Sequence, residues 1–292
     1  MNLNENSYKA LSDLKKRKNI STVDLAFPDG KKATILDFGV NAISSDEETA
    51  LKVAEATMGG LGRVSIAKNK IHVEIPENVA IATLCCQLAG WSIPVQGRNA
   101  LGSGPARILA KKPKELLEKV GYEENSKRAT LILETDSLPE QDVCENILKE
   151  TNANELLIAA FKGNSYVGLV NIMARVVELS VFRLNTLGYD VKKIHYGRGE
   201  APIPMLNSDA MSNANDALIY SSFVFLETDD WDFNLTEKTV SLSSKAYGKK
   251  FSQIFKDFGG DFYKIPKDIF SPAKVKIVDV KKNREYVAGK IR

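Results

Sequence analysis

The sequence predicts a mixed α/β (α+β) fold rather than a purely parallel, doubly wound sheet. Helical and strand patterns alternate along the whole chain, and antiparallel hairpin signals stand near both ends of it. The chain has 292 residues, 43% of them hydrophobic and 26% charged, which is an ordinary soluble composition. That length suits one large domain or two of usual size.

The elements follow in order. Residues 5–17 carry a helical pattern in Ala10, Leu11 and Leu14. Residues 23–27 and 33–38 flank Pro28-Asp29-Gly30 and form a hairpin. A helix over 47–57 is stopped by Gly59-Gly60, and 63–67 with 70–75 make a second hairpin turning near Asn69. Small and apolar residues over 78–88 predict a helix ending at Gly90, followed by a short strand at 91–95. Ser103-Gly104-Pro105 reads as a helix start, a capping hydroxyl followed by proline in the first turn. A helix covers 114–120. The charged stretch 123–128 then places a boundary, giving an N-terminal αβ domain over 1–125 and a C-terminal αβ domain over 126–292. The C-terminal strands are free to return to the first domain. Beyond it come a strand at 129–133, a helix at 139–150 and a strand at 156–160. One long helix spans 166–187 and ends at Gly188. A strand at 191–196, a helix at 209–220, a strand at 223–227 and a helix at 245–258 follow. Strands at 274–280 and 285–291 turn at Lys282-Asn283.

Composition removes several function classes. Forty Lys and Arg against 37 Asp and Glu leave +3, and both signs are interspersed, which argues against nucleic acid as a partner. The three cysteines, adjacent Cys85 and Cys86 and distant Cys144, form neither a disulfide framework nor a zinc pattern. The two histidines, His72 and His195, lie far apart, read as structural, and leave little for a histidine metal site or a serine triad. No apolar leader opens the chain, and Arg175, Glu178 and Arg183 interrupt the longest apolar run. The expectation is a cytoplasmic protein with no metal, no membrane span and no nucleic-acid partner.

Chemistry concentrates at few places. Arg175 and Glu178 stand three apart on the predicted long helix and share a face, with Asn171 four residues before Arg175. Val170, Met173, Val177, Val181 and Leu184 cover most of the rest of that helix, so the charged pair is buried or lines a cleft. It fits a structural intrahelical ion pair, or a carboxylate tuned by a neighbouring cation to activate water. Gly102-Ser103-Gly104-Pro105-Ala106-Arg107 fits an anion-binding helix start as well as a plain capped turn. It is not a Walker A loop, since no Gly-Lys-Ser/Thr follows. Gly197-Arg198-Gly199 with Pro202 and Pro204 reads as a rigid loop after a strand. Asn213, Asn215 and Asp216 read as the opening of a helix, in capping roles.

Ten stretches then stand in one order. They begin with Met58-Gly59-Gly60-Leu61, Ala89-Gly90-Trp91, Leu101 to Arg107, and Glu134-Thr135-Asp136-Ser137-Leu138-Pro139. Ala174-Arg175-Val176-Val177-Glu178, Ala201-Pro202-Ile203-Pro204 and Asn215-Asp216-Ala217 follow. The last are Tyr247-Gly248-Lys249, Asp261 to Ile265, and Phe270 to Val275. On these the chain resembles the methenyltetrahydromethanopterin cyclohydrolases, enzymes of one-carbon metabolism in methanogens and some methylotrophs. The resemblance implies two αβ domains with a pterin cleft between them and assembly as a homotrimer. It implies reversible hydrolysis of 5,10-methenyltetrahydromethanopterin to the 5-formyl form, with no metal and no cofactor other than that carrier as substrate. Glu178 is then the general base and Arg175 its partner. Ser103, Gly104, Arg107, Asn171, Asn215 and Asp216 are the expected substrate-binding residues.

Three stretches depart from the family pattern. Its Arg-Thr-Asn-Asp is here Asn213-Ala214-Asn215-Asp216, and its Tyr-Gly-Gly is Tyr220-Ser221-Ser222. Its Pro-Thr-Ala-Ser is Lys162-Gly163-Asn164-Ser165. These changes bear on contacts to the carrier's tail and leave open a non-catalytic pterin-binding relative.

Overall fold

The structure, a computed structural model, describes residues 1–17, 20–41 and 46–292. Its elements in chain order are α1 (Leu3–Leu14), β1 (Ser21–Ala26), β2 (Lys32–Asp37), α2 (Glu47–Thr57), β3 (Arg63–Ala67) and β4 (Lys70–Ile75). After a π-helical turn over Ile81–Gln87 come β5 (Trp91–Val95), β6 (Arg98–Ser103), α3 (Ala106–Ala110), α4 (Lys114–Val120), β7 (Arg128–Glu134), α5 (Gln141–Thr151) and β8 (Glu155–Phe161). The rest are α6 (Tyr166–Met173), α7 (Val176–Thr186), β9 (Ile194–Pro202), α8 (Ala210–Ser221), β10 (Phe223–Thr228), α9 (Phe251–Asp257), β11 (Lys274–Asp279) and β12 (Arg284–Gly289). The mixed αβ class holds.

The chain forms two compact units by interleaved segments. The first is 1–62 with 84–171, the second 63–83 with 172–292. The expected boundary at 125/126 falls inside the first unit, between α4 and β7. Charge on a surface stretch marks exposure, and here it marks a loop rather than a linker. β11 and β12 stay in the second unit.

The first unit is built on a six-stranded sheet in the order β1-β2-β8-β7-β6-β5. The β2, β8 and β7 pairings are parallel and the outer ones antiparallel. β7 and β8 are buried along nearly their whole length, as strands covered on both faces must be. Ile35, Leu131, Leu133, Ile158 and Ala160 join Cys144, Ile147 and Leu148 of α5 in one core. On the opposite face, α1 packs through Leu3, Leu11 and Leu14. Buried Asn4 ties it down: its Oδ1 accepts from Thr130 N, its carbonyl from Thr130 Oγ1, and its Nδ2 donates to Pro105 O. The Glu124 carboxylate accepts the N–H groups of Leu3 and Asn4, supplying the first turn of α1 with an anionic cap.

The second unit holds the other six-stranded sheet, β12-β11-β10-β9-β4-β3, antiparallel except between β10 and β11. α7 and α8 both pack on β9. The strands here alternate buried and half-exposed positions, as strands covered mainly on one face do.

Several expectations from the sequence are corrected. The long helix is two, because Arg175 N bonds Ile172 O across a shorter turn and the ladder resumes only at Leu179 N→Arg175 O. No Gly or Pro marks that break. The 78–88 helix is a wide π turn whose carbonyls are taken up by a distant side chain, described below. β6 was not anticipated, and Ser103 ends it rather than capping α3, whose N-cap is Pro105. Gly197-Arg198-Gly199 is not a loop but the middle of β9, an inner strand running to Pro202. The 245–258 helix shrinks to α9, since Gly248 at φ +99° takes the preceding residues out of helical geometry.

Candidate active site

In the first unit, the chain leaves β6 at Ser103 and enters α3 through Gly104 and Pro105. Ser103 is buried and its hydroxyl donates to Ile132 O. Gly104 has φ +91°, and a β-carbon there would stand 2.6 Å from Ile132 Cδ1, so the turn requires glycine. Arg107 is fully buried. Its Nε donates to Lys112 O at 2.9 Å, and its Nη1 to Leu84 O, Cys85 O and Cys86 O at 3.0, 3.2 and 3.3 Å. A buried charge needs such partners. These carbonyls lie in the π turn, and Cys86 O also accepts the Gly104 N–H at 2.7 Å. Arg107 thus anchors the turn. Asn171, in α6, is buried and its Nδ2 donates to Thr57 Oγ1 of α2 at 2.8 Å. The break between α6 and α7 falls after it.

In the second unit, Arg175 is the N-cap residue of α7, at φ −77° and ψ 5°, and Glu178 lies in the first turn. Arg175 is half-buried and Glu178 is 3% exposed. The three-residue spacing therefore survives, but across a helix start rather than mid-helix. The positive end of the helix dipole favours negative charge at this position. Val176 and Val177, between the two, rest on Gly199 and Gly197 of β9.

Asn215 and Asp216 lie in the second turn of α8, not at its opening, because the helix begins at Ala210. Asn215 Nδ2 donates to Met211 O one turn back. Asp216 Oδ1 accepts from Phe251 N at 2.7 Å and so caps α9 from outside. Burial pushes its carboxyl above the usual carboxylate range, against the opposing Phe251 N–H and Lys250 charge. The serines that replace two family glycines have internal partners. Ser222 Oγ donates to Leu218 O and accepts from Ala273 N, and Ser221 Oγ donates to Arg292 O. The rings of Tyr220 and Tyr247 lie 5.1 Å apart at a 57° tilt, with the Arg292 guanidinium over both.

His72, half-buried, lies 3.5 Å from Glu200, and exposed His195 lies 3.0 Å from Asp229. Among the described residues, no group of three or more His, Cys, Asp or Glu could hold a metal ion. Among them, too, no helix is long and apolar enough to cross a membrane. The residues missed by sequence reasoning are Gly197 and Gly199. Glycine inside a strand signals close backbone approach.

The family profile described as Cyclohydrolase (MCH) matches residues 2–292. The chain is 38% identical over 273 residues to the methenyltetrahydromethanopterin cyclohydrolase of Methanocella arvoryzae, covering 89% of this chain and 86% of that one. It is 39% identical over 273 residues to the protein of that name from Methanoculleus marisnigri, with the same coverage. It is 38% identical over 279 residues to the one from Methanocaldococcus jannaschii, again covering 89% and 86%.

Proposed function

Because the chain belongs to the methenyltetrahydromethanopterin cyclohydrolase family, we propose that it hydrolyses 5,10-methenyltetrahydromethanopterin reversibly to the 5-formyl form. The observation that carries the mechanism is Glu178, almost wholly buried in the first turn of α7 and one turn after the Arg175 N-cap.

The substrate's methenyl carbon lies between two nitrogens and is already electrophilic. What the protein must supply is a placed water and a base. In this reading the Glu178 carboxylate takes a proton from water as its oxygen bonds to the methenyl carbon. The carbon–N10 bond then breaks as Glu178 returns the proton to N10, and the hydroxyl loses its proton to solvent as the formyl C=O forms, so cationic substrate and water give neutral product and one proton. Arg175 holds the carboxylate ionised and orients the water or the developing hydroxyl. The cationic substrate also favours an anion beside it. Ser103, Gly104, Arg107, Asn171, Asn215 and Asp216 are the substrate-binding residues in the same reading. Assembly as a homotrimer and a cytoplasmic location belong to the same proposal.

The test mixes purified protein with methenyltetrahydromethanopterin and follows loss of the methenyl chromophore, for the parent and for Glu178→Gln. Full turnover by Glu178→Gln would remove the base assignment. Binding by the parent without chromophore loss would favour a pterin carrier instead. Methenyltetrahydrofolate in the same assay checks the carrier class, and light scattering checks the trimer.

A further inference from the structure

Gly197 and Gly199 are two residues apart on β9, so their missing side chains point to one face of the sheet. A β-carbon on Gly199 would stand 2.8 and 3.0 Å from the two γ-carbons of Val176, and 3.3 Å from Val177 Cγ2. One on Gly197 would stand 2.9 Å from Val177 Cγ1, with Leu226 and Val79 also close. Neither glycine has a positive φ, and both pair regularly with β4 and β10. What they supply is room.

That room is used by the start of α7. Val176 and Val177 are its first two residues, both fully buried, and their branched side chains have little rotational freedom. Glu178 follows them directly. The height of this helix start above β9, and with it the place of the carboxylate, is set by valine resting on bare backbone. At Gly199 the three nearest atoms all belong to α7, so a side chain there would press first on the helix start.

We infer that Gly199 is a positioning residue for the reaction: by carrying no side chain it seats Val176 on β9 and so sets where the Glu178 carboxylate stands. This rests on the reading of Glu178 as the base. Displacement of a reacting group by about 1 Å can cost on the order of 10²-fold in rate.

The test compares Gly199→Ala, Val176→Ala, the double variant and Glu178→Gln in the chromophore assay, with circular dichroism and thermal unfolding to report folding. Gly199→Ala is expected to lower kcat about 10-fold or more while KM stays within about 2-fold. In the double variant the added methyl fills space vacated by the valine methyls, and most of kcat is expected to return. A folded Gly199→Ala enzyme with parental kcat overturns the inference. So does a matching rise in KM, or a loss that the double variant does not recover. If Gly199→Ala does not fold, Val176→Ala decides, because it loosens the same seat without adding volume. Parental kcat in that variant overturns the inference. Glu178→Gln keeps the two readings apart. Turnover there removes the base assignment, whereas loss there beside an unaffected Gly199→Ala removes only the positioning role.

Discussion

The guanidinium of Arg107 fills the place of a side chain at Gly90: a β-carbon on that glycine would stand 2.5 Å from Arg107 Nη2. Two separate stretches, Ala89-Gly90-Trp91 and Leu101 to Arg107, are thereby one construction. The glycine makes the space, and the arginine crosses it to the carbonyls of Leu84, Cys85 and Cys86. Arg107→Ala takes this donor from the carbonyls of Leu84 and Cys85, while Cys86 O keeps the Gly104 N–H, and opens a void. The expected loss is about 3 kcal/mol or more in urea unfolding, since each unsatisfied buried group costs roughly 1–3 kcal/mol. Unchanged stability with weakened substrate binding would instead make Arg107 a ligand contact.

Glu178→Gln keeps the shape of the side chain and removes its basicity. Turnover is expected to fall about 10²- to 10⁴-fold, the usual contribution of one positioned base. The substrate should still bind, which equilibrium titration of the chromophore checks. A variant that fails to bind would point to a charge role in the ground state instead.

Burial pushes the Cys85 and Cys144 thiols up to about 12 and Cys86 well above its ordinary value, with the Arg107 charge opposing this at Cys85 and Cys86. A thiol of that kind is protonated and inert. The folded protein is expected to leave Ellman's reagent unreacted at about pH 8, below these raised values but near that of a free cysteine. All three cysteines should then react in guanidinium. Fast labelling of the folded chain would mean that the buried thiols become exposed by opening.

Asp216 gives a pH prediction with a definite sign. Burial, the largest influence, raises its carboxyl above the ordinary value. The folded chain therefore holds this proton more tightly than the unfolded chain. The resulting stability is present below the ordinary carboxylate range and fades as pH rises through the raised value. Asn keeps an oxygen for the Phe251 N–H and carries no charge. Asp216→Asn should therefore unfold at a higher temperature than the parent at neutral pH, with the gap closing towards about pH 4. Calorimetry across that range checks it, and a more stable parent at neutral pH would reverse the sign.

The two N-terminal hairpins were legible because their turns are local chemistry: Pro28-Asp29-Gly30 and Lys68-Asn69 specify them without help from elsewhere. α2 was legible for the same reason, with its cap at Asp46 and stop at Gly59. The break at Ala174-Arg175 was not, since nothing in that apolar run disfavours helix. Gly197 and Gly199 misled because glycine punctuates loops more often than it admits a helix. Their meaning depends on Val176 and Val177, which meet them only in the folded chain. For the candidate site, spacing and resemblance brought Arg175 and Glu178 forward, but not that one caps the helix in which the other occupies the first turn.

The interleaving of the two units has a consequence for synthesis and for dissection. A fragment ending at residue 125 would contain β1, β2, β5 and β6 but lack β7 and β8, the two strands at the centre of that sheet. The β3–β4 hairpin leaves the ribosome long before β9, the strand β4 must pair with, has been made. No single cut yields either unit whole. The chain commits to its architecture only once α6 and β9 have both been synthesised, and until then it carries open strand edges that a chaperone or a neighbouring copy could engage.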